Sequence, residues 1–406
     1  MGSWLDSVTG WLAANPQWLA AAVFIVAFVE CLAIAGLIVP GTVMLFAVAV
    51  LAGSGALSLS ETLLLGFVAG VLGDIVSYLV GRHFHQNIRR LPGLRHHPEW
   101  IAGAEAYFQR YGIASLLAAA GWSVAYLLPG WATGAAIRLP LPEGFWPEAG
   151  IVAGSIAVMV GLSATSSLRR HRKATVFITG MSLMILAGLF IGYPHLTALD
   201  QGVMTLVQEH RSPMLDELAV VFTLIGEFRN MLIFSALLTI LLLLTRQWRQ
   251  AIFAGGTMLC TALANTVTKH FFARVRPEVL TDPLTSFSMP SGHASGAFAL
   301  FLTLAVLAGR GQPPRMRLTW LLVGCLPALA IALSRVYLGA HWPTDVLAGA
   351  MLAACVCAAS LWLSQRQTSL NAMPPKVWWL VLPAMVALFG FFALRHLPHT
   401  MLRYAY

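Results

Sequence analysis

Between Lys269 and Asp345 the chain places six side chains that together suit the handling of a phosphate. Three are the cations Lys269, Arg276 and Arg335, two are the histidines His293 and His341, and one is the carboxylate Asp345. Charged residues make up only 10% of the sequence, and ionisable groups are costly beside a bilayer, so such a cluster points to function. A phosphate ester carries about two negative charges, and more charge develops as the ester bond breaks. Lysine and arginine can surround it, and an arginine fork pairs two oxygens at once. Pro290-Ser291-Gly292-His293 reads as a helix start near Ser291. Its first N–H groups, with little side-chain bulk at Gly292, can cradle an oxyanion. One histidine must attack phosphorus as a neutral imidazole and the other must protonate the departing oxygen. Both tasks need a pKa near neutrality. Asp345 follows His341 by one helical turn, and Pro343 between them favours a helix start. That spacing lets the carboxylate hold the His341 ring, as the acid of a catalytic triad holds its histidine. His341 is therefore assigned as nucleophile, Asp345 as its orienter and His293 as general acid. Lys269, Arg276, Ser291, Gly292 and Arg335 are assigned to the phosphate.

Membrane helices must position these residues. The chain has 406 residues, 58% of them apolar, with a mean hydropathy of +0.76, which marks an all-α integral membrane protein. The net charge of +9 does not call for nucleic acid, because the basic residues sit in short loops between apolar spans. Cys31, Cys260, Cys325, Cys355 and Cys357 all lie in apolar segments and read as small packing residues. Trp4, Leu5, Trp11 and Leu12 predict an interfacial helix at the start. Residues 19–39 can span, carry Glu30 and break at Pro40-Gly41; residues 41–52 are too short to cross and read as re-entrant. Residues 62–81 span, with Asp74 inside. A loop rich in arginine and histidine follows, suited to anionic headgroups. Residues 113–137 are interrupted by Pro129-Gly130, a second broken or re-entrant element, and 150–166 span. Beyond the basic stretch 169–173, spans are expected at 175–193, 231–244, 251–267, 294–309, 318–333 and 346–363, with a further one at 377–394. Residues 194–229 should hold one or two short amphipathic helices on the membrane surface.

The three motifs resemble the signature of the type 2 phosphatidic acid phosphatase superfamily over about 175–363: Lys269 with Arg276-Pro277, then Pro290-Ser291-Gly292-His293, then Ser334-Arg335 with His341 and Asp345. The resemblance implies a six-helix core, a phosphohistidine intermediate and no metal. The first half, about 19–166, resembles the DedA family, also called SNARE-associated Golgi proteins. That likeness rests on Glu30, on Val39-Pro40-Gly41, and on Gly73-Asp74 with Tyr78 and Gly81-Arg82. Two departures stand out. Thr42 follows the Pro-Gly where the family often has an acid, and 118–131 lack the family's arginine pair. Two broken helices are also the pattern of an inverted-repeat transporter, which makes Glu30 and Asp74 a possible transport site for a proton or lipid headgroup.

The domains expected are a DedA-like bundle with two re-entrant or broken helices at 1–168, a basic cytoplasmic linker at 169–173, a phosphatase-like domain at 174–364, and an additional transmembrane helix with its tail at 365–406. With Arg169–Lys173 in the cytoplasm, counting spans puts Arg246, Arg249, Arg310, Arg315, Arg317, Arg366 and Lys376 on the same side, with Arg82 to Arg95. All three motifs then face outward from a plasma (inner) membrane. The function expected is hydrolysis of a lipid phosphate or diphosphate in the outer leaflet, with undecaprenyl diphosphate, in carrier recycling, as the first candidate. Phosphatidate, phosphatidylglycerol phosphate and lipid A phosphate are alternatives. A lipid-phosphate transporter with an accessory phosphatase is a reading of another class, and a vanadate-dependent oxidase on the same pocket is a third. The acids near the motifs, Glu278, Asp282 and Asp345, are too scattered for a two-metal clamp, so neither metal nor other cofactor is expected. The partners expected are the lipid substrate and the bilayer, without nucleic acid; the sequence leaves the oligomeric state open.

Overall fold

The computed structural model describes residues 2–32, 41–83, 114–168, 173–280, 284–366 and 368–403, and every regular element among them is helical. The chain divides into two compact units, Met1–Pro140 and Leu141–Tyr406. Seven of the described helices are long and apolar enough to cross a membrane, or up to eight if one bent pair counts as a single span. The histidine- and arginine-rich stretch beyond His83 and the Arg169–Arg172 cluster lie outside the described residues.

The first unit holds α1 (Gly2–Ala14), α2 (Leu19–Glu30), α3 (Gly41–Leu51), α4 (Leu59–His83) and α5 (Ala114–Arg138). The start of α4 is written in the sequence. The Ser58 hydroxyl accepts from the Glu61 N–H, and the Glu61 carboxylate accepts in return from the Ser58 N–H at 2.9 Å, a reciprocal cap. Helices α3 and α5 cross closely because Gly134 has no side chain: a Cβ there would lie 1.9 Å from the Val50 carbonyl oxygen. The expected 19–39 span ends as helix at Glu30, and its remainder lies outside the described residues beyond Leu32. Of the two forms expected for the second element, broken or re-entrant, it is not broken at Pro129, since α5 continues through that residue. A proline removes only one backbone bond. Leu127 and Trp131 on either side of it are buried, and the Trp131 ring N–H donates to the Leu57 carbonyl at 3.1 Å. Packing on both sides of the proline keeps the rod whole.

The second unit opens with α6 (Phe145–Leu168) and α7 (Ala174–Gly192). Helix α6 packs on α7, on α8 (Thr197–Glu209) and on α13 (Pro314–Tyr337). Its Glu148 accepts from the Leu199 N–H at 2.7 Å, capping the start of α8. These contacts put 145–168 with the second unit, whereas the sequence reading ended the first domain at 168. Residues 194–229 hold two short helices, α8 and α9 (Pro213–Ile225), and α9 bends by 51° into α10 (Phe228–Leu244), a pair that together is apolar enough for one broken span.

Six helices then form the expected core: α7, α10, α11 (Trp248–Phe272), α12 (Gly292–Ala308), α13 and α14 (Pro343–Ser364). Helix α12 packs on α10, α11, α13 and α14, and α14 also packs on α7 and α11. The additional helix, α15 (Pro375–Arg403), packs on α9 and α10 and buries Val377, Val381, Met385 and Phe392. Its Phe389 ring meets Phe234 at 4.0 Å between centroids.

The approach of α14 to the start of α12 depends on Gly349, where a Cβ would lie 2.6 Å from the Ser291 carbonyl oxygen. Backbone cannot yield as a side chain can. Gly349→Ala should therefore lower stability by about 1–3 kcal/mol through overpacking. Thermal melting of the detergent-solubilised protein checks this, and an unchanged Tm would show the two helices to be less tightly apposed.

Candidate active site

Four places along the chain meet at one end of the second unit. Lys269 stands in the last turn of α11, which stops at Ala273. An extended segment then carries Arg274 and Arg276. Ser291 caps α12, with Gly292 and His293 in its first turn. Arg335 ends α13, and the loop after it wraps the helix terminus: the N–H groups of Ala340 and His341 both donate to the Arg335 carbonyl, at 3.0 and 3.2 Å. Gly339 turns that loop with φ +67°, a conformation that favours glycine. Asp345 lies in the first turn of α14, where its carboxylate accepts from the Trp342 N–H at 3.0 Å.

His341 is buried, and Arg276 donates to its Nε2 at 3.0 Å. Arginine only donates, so Nε2 carries the lone pair and Nδ1 the proton. Burial pushes the His341 pKa well below the usual histidine range, and the charges of Arg276, Arg335 and Lys269 push it further. The ring is thus neutral in the resting site. Its Nδ1 side faces Ser288: the hydroxyl lies 3.3 Å away, and the Ser288 backbone also hydrogen-bonds the ring. The nearest Asp345 oxygen is 3.7 Å from Nδ1, beyond hydrogen-bond range. The Ser288 hydroxyl donates to that same oxygen, so Ser288 stands between histidine and carboxylate where the spacing alone predicted a direct contact.

The cations and histidines converge. The charges of Arg335, Lys269 and Arg276 all bear on His293 as well as His341, and those of Arg276 and Arg335 bear on Lys269. Arg276 is braced by the Ser286 and Ala340 carbonyls at 2.6 and 2.5 Å. Arg335 is buried and donates to the Thr223 hydroxyl at 2.6 Å. Ser291 holds the start of α12. Its N–H donates to the Asp345 carbonyl at 2.9 Å, and its hydroxyl accepts from the Ala294 N–H at 3.5 Å. It builds the helix start, and the Gly292 and His293 N–H groups are the ones in that turn without an intrahelical acceptor.

Several site residues carry no spacing signal. Arg274 donates to Asp345 at 2.7 Å, to Thr344 at 2.8 Å and to Asp200 at 2.6 Å. Its guanidinium also lies over the Tyr193 ring, 4.9 Å from the centroid. Asp200 accepts from the Thr344 N–H and hydroxyl, at 3.0 and 2.7 Å. Burial raises the Asp200 carboxyl, against the lowering pull of Arg274 and Thr344. Gly226, at the α9–α10 bend, lets that corner sit beside His293 and Ile331; a Cβ there would lie 2.2 Å from the Ile331 methyl. From sequence, Arg274 is expected at the reaction centre or its edge, two residues before Arg276, whereas Asp200 and Gly226 carry no such signal.

Glu30 and Asp74 belong to the first unit. Both bear electrostatically on Cys31. Glu30 Oε2 is buried against Gly41, without a hydrogen-bond partner among the described residues, and Asp74 is exposed.

Removing Arg274 leaves two buried carboxylates without their shared counter-charge. Arg274→Ala should cost about 3–5 kcal/mol, and Asp200→Asn in the same background should restore part of the loss. Melting of the two single variants and the double variant measures the coupling. Purely additive effects would show that the pair carries none.

With this geometry in hand, comparison with known proteins gives two matches along the chain. Residues 250–369 match the PAP2 superfamily and 39–146 the VTT domain. The chain is 38% identical over 97 residues to an undecaprenyl-diphosphatase of Sulfolobus acidocaldarius, covering 21% of this chain and 41% of that protein. It is 37% identical over 93 residues to phosphatidylglycerophosphatase B of Bacillus subtilis, covering 21% and 44%. It is 33% identical over 96 residues to the inner membrane protein YabI of Escherichia coli, covering 24% and 38%. In each case the matched stretch is less than half of the relative's own length. The His293 and His341 site lies inside the first match and Asp74 inside the second, so the chain joins a VTT domain of the DedA family to a PAP2 superfamily domain.

Proposed function

We propose that this protein is a membrane lipid phosphatase working through a phosphohistidine on His341. One observation carries the reading: a buried, neutral imidazole presents its Nε2 lone pair to Arg276 within a group of three cations. In the resting site Arg276 occupies that lone pair. An incoming phosphate offers Arg276 a charged acceptor, better than a neutral nitrogen. As Arg276 turns to the phosphate, Nε2 is released to attack phosphorus. Lys269, Arg276, Arg335 and the first-turn N–H groups of α12 take up the charge on the phosphoryl oxygens. The bond to the leaving oxygen breaks, and that oxygen takes a proton from His293, which gains it as imidazolium once the bound phosphate offsets the three cations. Neutral His293 then removes a proton from water, which attacks phosphorus and returns His341 to its neutral state. Asp345 acts through Ser288, keeping the proton on Nδ1 and the lone pair on Nε2.

The reaction is metal-independent in this reading. Every oxygen of Asp345 and Asp200 is already engaged, by Arg274, Ser288, the Trp342 N–H and Thr344. Such carboxylates are poor candidates for metal ligands, and side-chain cations supply the charge instead. Chelator should leave activity intact and vanadate should inhibit it. Recovery of lost activity by magnesium would refute the metal-free site.

The substrate favoured is undecaprenyl diphosphate in the outer leaflet of the plasma membrane, with the site on the extracytoplasmic face. The support is the positive-inside argument together with the name of one relative, an undecaprenyl-diphosphatase. Phosphatidylglycerol phosphate is the alternative, supported by the name of another. The VTT domain would return the monophosphate product to the cytoplasmic leaflet, with Glu30 and Asp74 on its path. A transporter with an accessory phosphatase is the second reading, supported by the buried Glu30 oxygen, which has no partner among the described residues. Phosphate release from a panel of these lipids tests the substrate. Inward movement of the monophosphate in vesicles, in wild type and Glu30→Gln, tests transport. Preference for phosphatidylglycerol phosphate together with no movement would sink the recycling idea.

Roles separate by trapping. His341→Ala should abolish an acid-labile, base-stable phosphoenzyme, whereas His293→Ala should slow turnover by about 10²–10⁴-fold and still form it from activated substrates. Trapping in His341→Ala would overturn the assignment. The pH profile follows from the lowered His341 pKa. Its active, neutral form persists as pH falls, so the acid limb of kcat/KM should lie below about 6.5, the ordinary histidine value. An acid limb above that value, tracking His341, would contradict the buried neutral ring.

A further inference from the structure

The helices that carry the catalytic motifs at one end hold a second unsatisfied charge at the other. Helix α12 runs 17 residues from Gly292 to Ala308, about 25 Å at the usual helical rise. Its far end opens onto a groove of about 590 Å³. Trp378, Leu382 and Val386 form one wall, spaced a helical turn apart along α15, with Leu307 opposite and Arg310 at the mouth. Arg310 is half-buried. With the Gln365 amide turned so that its oxygen faces Arg310, that oxygen accepts from both terminal nitrogens, at 2.5 and 3.0 Å, but the acceptor is neutral. Its Nε is buried without a hydrogen-bond partner among the described residues, and so is Nε of the neighbouring Arg317. Burial, and then the Arg317 charge, push the Arg310 pKa down to about 10. No carboxylate pairs with Arg310 or Arg317 among the described residues, and beyond Asp282 the sequence has one acid, Asp345, at the other end of the bundle.

Two close cations without a counter-charge call for an anion. The apolar wall beside them calls for hydrocarbon, and tryptophan at the start of a membrane helix marks the interface where both are found. One amphiphile meets both demands. We propose that the groove binds an anionic glycerophospholipid, its phosphate on Arg310 and Arg317 and one acyl chain along Trp378, Leu382 and Val386, at the end of the bundle opposite the catalytic motifs. A bound lipid there would neutralise the arginine pair and fill the seam between α12 and α15. A zwitterionic lipid would bring its own cation to the arginines and bind less well.

The test uses the full chain in phosphatidylcholine vesicles. Phosphatidylglycerol or phosphatidylcholine with brominated acyl chains is titrated in, and tryptophan quenching is read. The signal from the groove is the difference between wild type and a Trp378→Phe/Trp379→Phe variant. Brominated phosphatidylglycerol should quench that signal at about tenfold lower mole fraction than the phosphatidylcholine analogue, as expected for one or two arginines at a membrane surface. The preference should vanish in Arg310→Gln/Arg317→Gln and survive in Arg310→Lys. Inorganic phosphate in the buffer should not compete. Equal quenching by the two lipids in wild type would overturn the proposal, leaving an ordinary lipid-facing surface, and needs no arginine variant to be read. A preference that persists in the double glutamine variant, or is erased by inorganic phosphate, would overturn it too.

Discussion

The catalytic end of the second unit hangs on one buried carboxylate. Asp345 holds Arg274 from the segment after α11, the Ser288 hydroxyl from the segment before α12, and the Trp342 N–H at the start of its own helix. Its backbone carbonyl takes the Ser291 N–H. Three pieces of chain, the segment after α11, the approach to α12 and the start of α14, are thereby fixed to a single residue. A buried ionised carboxylate is tolerated only when fully partnered, and that demand specifies the arrangement. Arg274 passes the demand on to Asp200 and Thr344, so a surface helix, α8, is tied to the site although it bears none of the motifs. Geometry at His341 depends on a network spread over residues 200–345.

Within that frame the site is deliberately incomplete. Lys269, Arg276 and Arg335 sit near one another and near two histidines, and repel. An anion completes the set, and until it arrives Arg276 rests on His341 Nε2. The same physics recurs at the far end of α12, where Arg310 and Arg317 have no counter-charge among the described residues beside an apolar groove. Both ends of the bundle gather cations, in different company. The difference lies in the neighbours: two histidines at one end, tryptophan and leucine at the other.

The first unit follows a different logic. Small residues let α3 and α5 approach to backbone contact at Gly134, and the carboxylates Glu30 and Asp74 flank Cys31. Pro129 does not break α5, because buried neighbours on either side hold the rod together. Proline removes a single bond, and whether a helix then breaks is decided by what packs around it. A break at Pro129 was therefore not something the local sequence could fix.

Composition and periodicity alone determined that the chain is helical and membrane-spanning, because apolar runs of this length have few alternatives in lipid. Motif spacing placed His341 and Asp345 near one another, because Pro343, two residues after His341, opens the helix that carries Asp345. Ser291 as a helix cap was legible for the same local reason. Tertiary structure alone decided the rest. Asp200 lies far from Arg274 in sequence, and no local pattern pairs them. Ser288 stands between His341 and Asp345 only because α12 and α14 touch at Gly349. The placement of 145–168 with the second unit rests on a capping bond from Glu148 to α8, which spans 51 positions. Local bonds follow from a residue and its near neighbours; the bonds between distant segments follow from packing, and packing is settled only when the whole unit closes.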